Sequence, residues 1–264
     1  MENKKPNDIQ KYQEWLKERH NVEISNRTKT YYESVANRIK TDFEKSQFWA
    51  ELSENLGEFD SEYMLKAGYH LLMRPKAELY QKPFESFLLK TFRRNILEND
   101  QWPDEPKNEW ILPDNWYFKI DDIVRTLFVV KYLDGVEFMI DKIQCLCKKH
   151  DIACTPSLEA KEEGYYAAHV YIKQQFEIPK PTWDTERVEV SIEIQITTQL
   201  QEVIRQLLHR YYEERRQKVK EEDLKWQWNY RSDEFGANYL GHILHYVEGM
   251  IMEIRDRQKK GEML

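Results

Sequence analysis

Cysteine, glycine and proline are all scarce in this chain. Its three cysteines, Cys145, Cys147 and Cys154, are odd in number and lack paired CxxC spacing, which excludes a disulfide framework and fits a reducing compartment. Eight glycines and nine prolines among 264 residues exclude collagen-like, mucin-like and low-complexity chains. No stretch approaches the roughly 18 uninterrupted apolar residues of a membrane span. The polar start MENKKPNDIQ has no leader character either, so the expectation is a cytoplasmic protein without membrane contact. Basic residues do not dominate: 40 Lys and Arg against 47 Asp and Glu leave a net charge of −7. Any nucleic-acid partner must therefore be held by a local patch.

What is present is apolar and aromatic enough for a folded core, at 41% hydrophobic and 13% aromatic residues, and the length needs no disulfide or structural metal. His150 beside the cysteines suggests a zinc set. Against it, Phe138, Ile140, Ile143, Leu146 and Cys147 follow the period of a buried helix face, so core thiols are the default.

Residues 28–56 place Tyr32, Val35, Ala36, Ile39 and Phe43 at helical steps, a second helix runs from Ser61 towards Leu72, and a third from Pro83 to Leu97. A proline-broken loop containing Trp102, Trp110 and Trp116 follows, ordered because its tryptophans need burial. TLFVVKYL, residues 126–133, reads as a central strand covered on both faces, and Asp134-Gly135 as its turn into a helix ending near Lys149. Further strands are expected at His169 to Ile178 and Arg187 to Thr198, with PKPTWD as turn material between them. In the last strand Val188, Val190, Ile192, Ile194 and Ile196 share a core face, leaving Glu189, Ser191, Glu193, Gln195 and Thr197 on the other. Leu200, Val203, Ile204, Leu207, Leu208 and Tyr211 mark an amphipathic helix that runs into the charged YYEERRQKVKEED. Leu240, Ile243, Leu244, Val247, Ile251 and Ile254 mark the core face of a final helix. The fold expected is α/β, a small mixed sheet flanked by N- and C-terminal helices. Residues 1–60 form a helical extension, 61–215 the main domain and 216–264 a C-terminal helical extension.

Four segments carry polar residues that structure alone does not require. Lys82, Ser86, Lys90 and Arg93 recur at steps of four, four and three, so one helix face presents three cations and a hydroxyl, suited to a polyphosphate or to a solvated basic helix end. Asp121-Asp122 with Arg125 stands at a strand entry, as a metal or ligand position or as a strand cap. Gly164 opens a loop that exposes Tyr165 just before His169 and offers a ring for base stacking. Glu193 and Gln195 lie on the non-core strand face. Asp122 and Glu193 together are the two carboxylates that a magnesium-nucleotide site needs.

In order, KPFESFLLKTFRR, DDIVR, GYYAAH and EIQITTQLQEV resemble the synthetase domain of the RelA/SpoT family, whose members transfer pyrophosphate from ATP to a ribose hydroxyl. The resemblance implies a nucleotidyltransferase-like fold for residues 61–215, ATP as donor and Mg2+ as cofactor. It assigns Lys82, Ser86, Lys90 and Arg93 to the ATP phosphates, Asp122 and Glu193 to the metal and catalysis, Gln195 to a place beside them, and Tyr165 and His169 to the acceptor. The chain also departs from the pattern. Tyr80 stands two residues before Lys82 where arginine is usual, and Arg125 and Leu127 fill the glycine and arginine of Asp-x-x-Gly-x-Arg. Tyr80 and Arg125 are therefore the expected substitutes around the adenine. Tyr166 and Thr197 also stand where arginine is usual, at the acceptor loop and strand.

Because these losses fall on the acceptor side, the reading is a small single-domain member acting on the 3′ end of tRNA, a translation-inhibiting toxin. The alternatives are an alarmone synthetase using GDP or GTP, a catalytically degenerate regulatory member, and an unrelated helical protein that matches by chance. An antitoxin protein and a homo-oligomer stay open as partners.

Overall fold

The computed structural model describes residues 5–180, 184–216 and 225–261. Turn residues 181–183 and the side chains of the charge run at 211–223 lie outside this description. Helices α1 (Ile9–His20), α2 (Asn26–Glu44) and α3 (Gln47–Ala67) precede every strand. Where one helix was expected over residues 28–56, the chain breaks at Lys45, and Ser46 caps α3 by accepting from the Trp49 amide. Gly68 closes α3 in the left-handed conformation that only glycine adopts freely.

Next come β1 (Leu79–Gln81), α4 (Phe84–Phe92), a π-helical turn (Arg93–Leu97) and the short α5 (Trp116–Lys119). In the loop before α5 Trp110 is buried and Trp102 packs on the core, and Trp116 is buried at the start of α5, as the need to cover them demands. Strand β2 (Val124–Val130) leads directly into α6 (Leu133–Lys149). Asp134-Gly135 is therefore not a turn but the first turn of α6. Asp134 there faces the positive helix end, and a β-carbon on Gly135 would lie 3.1 Å from both Leu71 and Val130.

β3 (Ala153–Ala160), β4 (Tyr166–Pro179) and β5 (Thr185–Thr198) complete a mixed sheet in the order β1-β2-β5-β4-β3. β5, not β2, is the middle strand. It pairs parallel with β2 and antiparallel with β4. The core face of β5 is as expected, with Val190, Ile192, Ile194 and Ile196 fully buried. Its other face is covered too, since Ser191, Glu193 and Thr197 are buried. One hydrophobic cluster runs from Tyr12 in α1 to Ile196 in β5, and α3 passes without a break through residues 60 and 61.

Helices α7 (Gln199–Arg216) and α8 (Asp233–Lys259) pack in a way that hydrophobic periodicity does not reveal. On α7 the buried residues include Gln201, Glu202 and Ile204, while Val203 and Leu207 of the apolar stripe are exposed. On α8 the buried residues are Ala237, Asn238, Gly241, Glu248 and Arg255, and Leu240, Ile243, Tyr246 and Met250 face outward. The reason is a backbone contact. A β-carbon on Gly241 would lie 2.3 Å from the Gly164 carbonyl oxygen, so the closest approach of α8 to the loop before β4 requires a glycine on the helix. Around that contact, the Tyr166 hydroxyl bonds His242 Nδ1 at 2.8 Å while His242 Nε2 donates to the Glu162 carbonyl. His245 stacks flat on the Tyr166 ring at 3.7 Å, and the Thr198 hydroxyl donates to buried Glu248. Gly241→Ala should therefore cost about 1–3 kcal/mol of stability. Gly249→Ala, with open space around its position, should stabilise α8 slightly. Chemical denaturation of both variants checks the contrast.

Candidate active site

Sheet register assembles the candidate residues. Tyr80 of β1 pairs with Arg125 of β2, Arg125 with Glu193 of β5, and Glu193 with Tyr171 of β4, so one row crosses four strands. Two residues along, on the same face, Leu127, Gln195 and His169 form the next row. Residues from separate segments of sequence thus become neighbours through backbone pairing alone.

At the entry to β2, Asp122 is 7% exposed. Its Oδ2 accepts from Lys82 Nζ at 2.8 Å and its Oδ1 stands 2.9 Å from Lys90 Nζ. Burial raises the Asp122 pKa, but the two ammonium groups outweigh it and hold the carboxyl well below the usual carboxylate range. Burial in turn pushes the Lys82 ammonium down, against the pull of Asp122. Lys82 does not ride on the helix with Lys90. It precedes Pro83 and α4, its amide donates to the Ile123 carbonyl, and its own carbonyl accepts from the Tyr32 hydroxyl of α2. The N-terminal helices are thus part of the site's framework. Ser86 is half-buried one turn before Lys90. Arg93 turns away from Asp122 to pair with Glu98 at 2.5 Å.

Glu193, 4% exposed, accepts from His169 Nδ1 at 2.7 Å and from Gln195 Nε2 at 2.9 Å. A carboxylate can only accept, which places the proton on Nδ1 and leaves Nε2 of the neutral ring to accept from the Tyr165 hydroxyl at 3.1 Å. Tyr165, His169, Glu193 and Gln195 therefore form one connected chain. The Lys161 ammonium stands 5.4 Å from the Tyr165 ring centre. Tyr171, absent from the residues expected from sequence, lies against His169 at 3.3 Å. Burial first and the Glu193 charge next push its phenol up, so it stays un-ionised at neutral pH. Its signal was present, since it is two residues from His169 and must share its face. Tyr80 is half-exposed, with its hydroxyl on Glu78 at 2.6 Å, and Arg125 is half-buried.

Among the described residues no three His, Cys, Asp or Glu side chains converge as a metal cluster. Magnesium bound with a nucleotide asks less, commonly one or two carboxylates with phosphate and water completing the shell. Asp122 and Glu193 are carboxylates of that chemistry, each satisfied by protein donors. No described helix is long and apolar enough to cross a membrane.

The ion-paired Asp122 makes stability depend on acidity. Its folded pKa lies below the unfolded value of about 3.9, so its contribution is complete above that pH and is lost as pH falls through the folded value. Asp122→Asn should cost about 3 kcal/mol at neutral pH by leaving two lysines poorly paired. It should also flatten the loss of stability below about pH 4. Denaturation at pH 7 and at pH 3 tests both effects.

No protein-family model matches the sequence, and no curated protein does. Solved structures do match. A GTP pyrophosphokinase family protein from Streptococcus pneumoniae aligns over 96% of each chain at 16% identity and a TM-score of 0.52. Small alarmone synthetase 1 from Bacillus subtilis aligns over 81% of this chain and 94% of its own, at 14% identity and a TM-score of 0.51. The same enzyme bound to its product pppGpp aligns at 16% identity and 0.52, over 81% and 93%. With its five-stranded mixed sheet, its flanking helices and near-complete overlap with these structures, the chain has the fold of the small RelA/SpoT-like alarmone synthetases.

Proposed function

We propose that the protein is a pyrophosphokinase, transferring the β- and γ-phosphates of ATP as one unit to a ribose 3′-hydroxyl. The observation that carries the reading is the cross-strand row through Glu193. Arg125, opposite Glu193, follows Asp122 of the Lys82–Asp122–Lys90 cluster by three residues, and Glu193 itself heads the chain through His169 to Tyr165. The cluster offers two cations for phosphate. The chain offers a carboxylate beside a ring on which a base can stack. Shared fold with a synthetase solved with pppGpp supports the same chemistry.

In this reading Lys82 and Lys90 leave Asp122 for the ATP phosphates, Arg93 and Ser86 of the same helix approach them, and Tyr80 and Arg125 flank the adenine. The acceptor oxygen attacks the β-phosphorus, the bond between the α-phosphate's bridging oxygen and the β-phosphorus breaks, and AMP departs. Glu193 takes the hydroxyl proton. Its two bonds from His169 and Gln195 leave further lone pairs for it. Magnesium held by Asp122 and Glu193 would neutralise charge on the phosphates. Gln195 and His169 keep the Glu193 carboxylate in place.

The acceptor we favour is the 3′ end of tRNA, which would make the protein a translation-blocking toxin with a partner antitoxin. Support comes from the cleft beside Tyr165, whose walls carry Tyr166 and Thr197 at the acceptor positions where the family pattern has arginine. A guanosine polyphosphate has little to hold it there, while tRNA brings affinity from the rest of its length. The second reading, synthesis of an alarmone from GDP or GTP, is supported by the solved structure with pppGpp. A degenerate regulatory role fits less well, since Asp122 and Glu193 are both retained.

Incubation with γ-labelled ATP should label deacylated tRNA and leave GDP and GTP unlabelled. Glu193→Gln, which keeps shape and removes charge, should lower transfer about 100-fold or more, with a thermal melt near wild type. Label on GDP or GTP alone would move the acceptor to the alarmone reading. Wild-type turnover by Glu193→Gln would remove the site itself.

A further inference from the structure

The cleft beside Tyr165 has one feature that the sequence motifs do not contain. It is lined by Leu127, Tyr165, Tyr166, Ala167, Gln195, Thr197, Gln201 and Arg205. Seven of these belong to β2, β5, the start of β4 and the residue before it, or the first turn of α7, and they are apolar or neutral. Arg205 alone among the described lining residues carries positive charge. It enters from the second turn of α7, outside every motif that resembles the family.

Arg205 is held in a fixed pose. Its Nε donates to Glu202 Oε2 at 2.6 Å and its Nη2 to Glu202 Oε1 at 2.7 Å, the two-pronged pairing of a guanidinium with a carboxylate. Glu202 is itself steadied by Gln206 Nε2 at 2.7 Å. The carboxylate side of the pair is buried, with 11% of its side chain exposed, whereas 40% of the Arg205 side chain is exposed. The Glu202 bond and the charge on it keep Arg205 protonated. Nη1 has no protein partner among the described residues, so three N–H donors remain, two on Nη1 and one on Nη2. This is an arginine anchored from behind with a free edge, the arrangement that suits a phosphate oxygen.

We infer that Arg205 grips the 5′-phosphate of the accepting nucleotide, while Tyr165 stacks on its base and its 3′-hydroxyl faces Glu193. The inference rests on the pyrophosphokinase reading and adds the acceptor's phosphate contact to it. A 5′-phosphate is common to the 3′-terminal adenosine of an RNA, where it is the last phosphodiester, and to a free nucleotide. A single arginine matches the single phosphodiester better than a di- or triphosphate.

The test compares acceptors with and without that phosphate. In wild type the dinucleotide CpA should be preferred over adenosine, and in Arg205→Ala the ratio of their kcat/KM values should fall about tenfold or more, a charge-assisted contact's worth. The KM for ATP should hold. Arg205→Lys, which keeps charge without the fork, should recover part of the preference. GDP against guanosine forms the parallel arm. A fall in that ratio, with none for CpA over adenosine, would assign the contact to a free nucleotide instead. Equal losses with CpA and adenosine would reduce Arg205 to a structural residue, and a raised KM for ATP would move it to the donor; either overturns the inference. Calorimetric titration of CpA without ATP separates the two levels. Binding weakened by Arg205→Ala in a wild type that transfers nothing would sink the pyrophosphokinase reading but keep the phosphate contact. Active transfer with CpA affinity unchanged in the variant would do the reverse.

Discussion

Parallel pairing between β2 and β5 is the constraint on which the candidate site depends. It sets Arg125 opposite Glu193 and Leu127 opposite Gln195, and β4 then adds Tyr171 and His169 in the same two rows. A slip of one residue between β2 and β5 would turn Glu193 away from Arg125 and into the Ile192–Ile194–Ile196 core. The register is protected because those isoleucines are fully buried and β5 is covered on both faces. Packing energy on one side of the sheet thus holds chemistry on the other.

Buried charge is the second organising feature. Asp122 with Lys82 and Lys90 is a cluster of net positive charge in a nearly closed setting, an arrangement that adds little stability over an apolar replacement and is costly to break. In the proposed function this cluster is the phosphate cradle, held ready by its own carboxylate. Its supports come from far along the chain: Tyr32 of α2 holds the Lys82 carbonyl, and Tyr12 of α1 bonds Thr91 and Asn95 behind α4. The helices before the sheet therefore belong to the same working unit as the strands.

Where side-chain period and burial agree, the sequence was readable. The alternation of β5, the strand at β4, the helix at α4 and the ordered tryptophan loop all follow from patterns that folding preserves. β1 is only three residues long, and β3 is an edge strand with Pro156 and weak alternation, so neither carries a usable signal. α8 misled for a different reason. Periodicity marks its large apolar residues as the core face, but the close approach to Gly164 required Gly241 there. Within the site, the motifs named Asp122, Glu193 and their neighbours. The Lys82–Asp122 pairing and the place of Arg205 depend on contacts between distant segments and could not be read from spacing, whereas Tyr171 follows from its place two residues after His169 on the same strand face.

Which phosphates move is the most direct question for the whole account. ATP labelled in parallel at the β- and at the γ-phosphate, incubated with the protein, magnesium and deacylated tRNA, reports it. The account predicts that both labels pass to the acceptor in equal amounts, with AMP released in step. Transfer of the γ-label alone with release of ADP, or release of inorganic phosphate without a labelled acceptor, would contradict it.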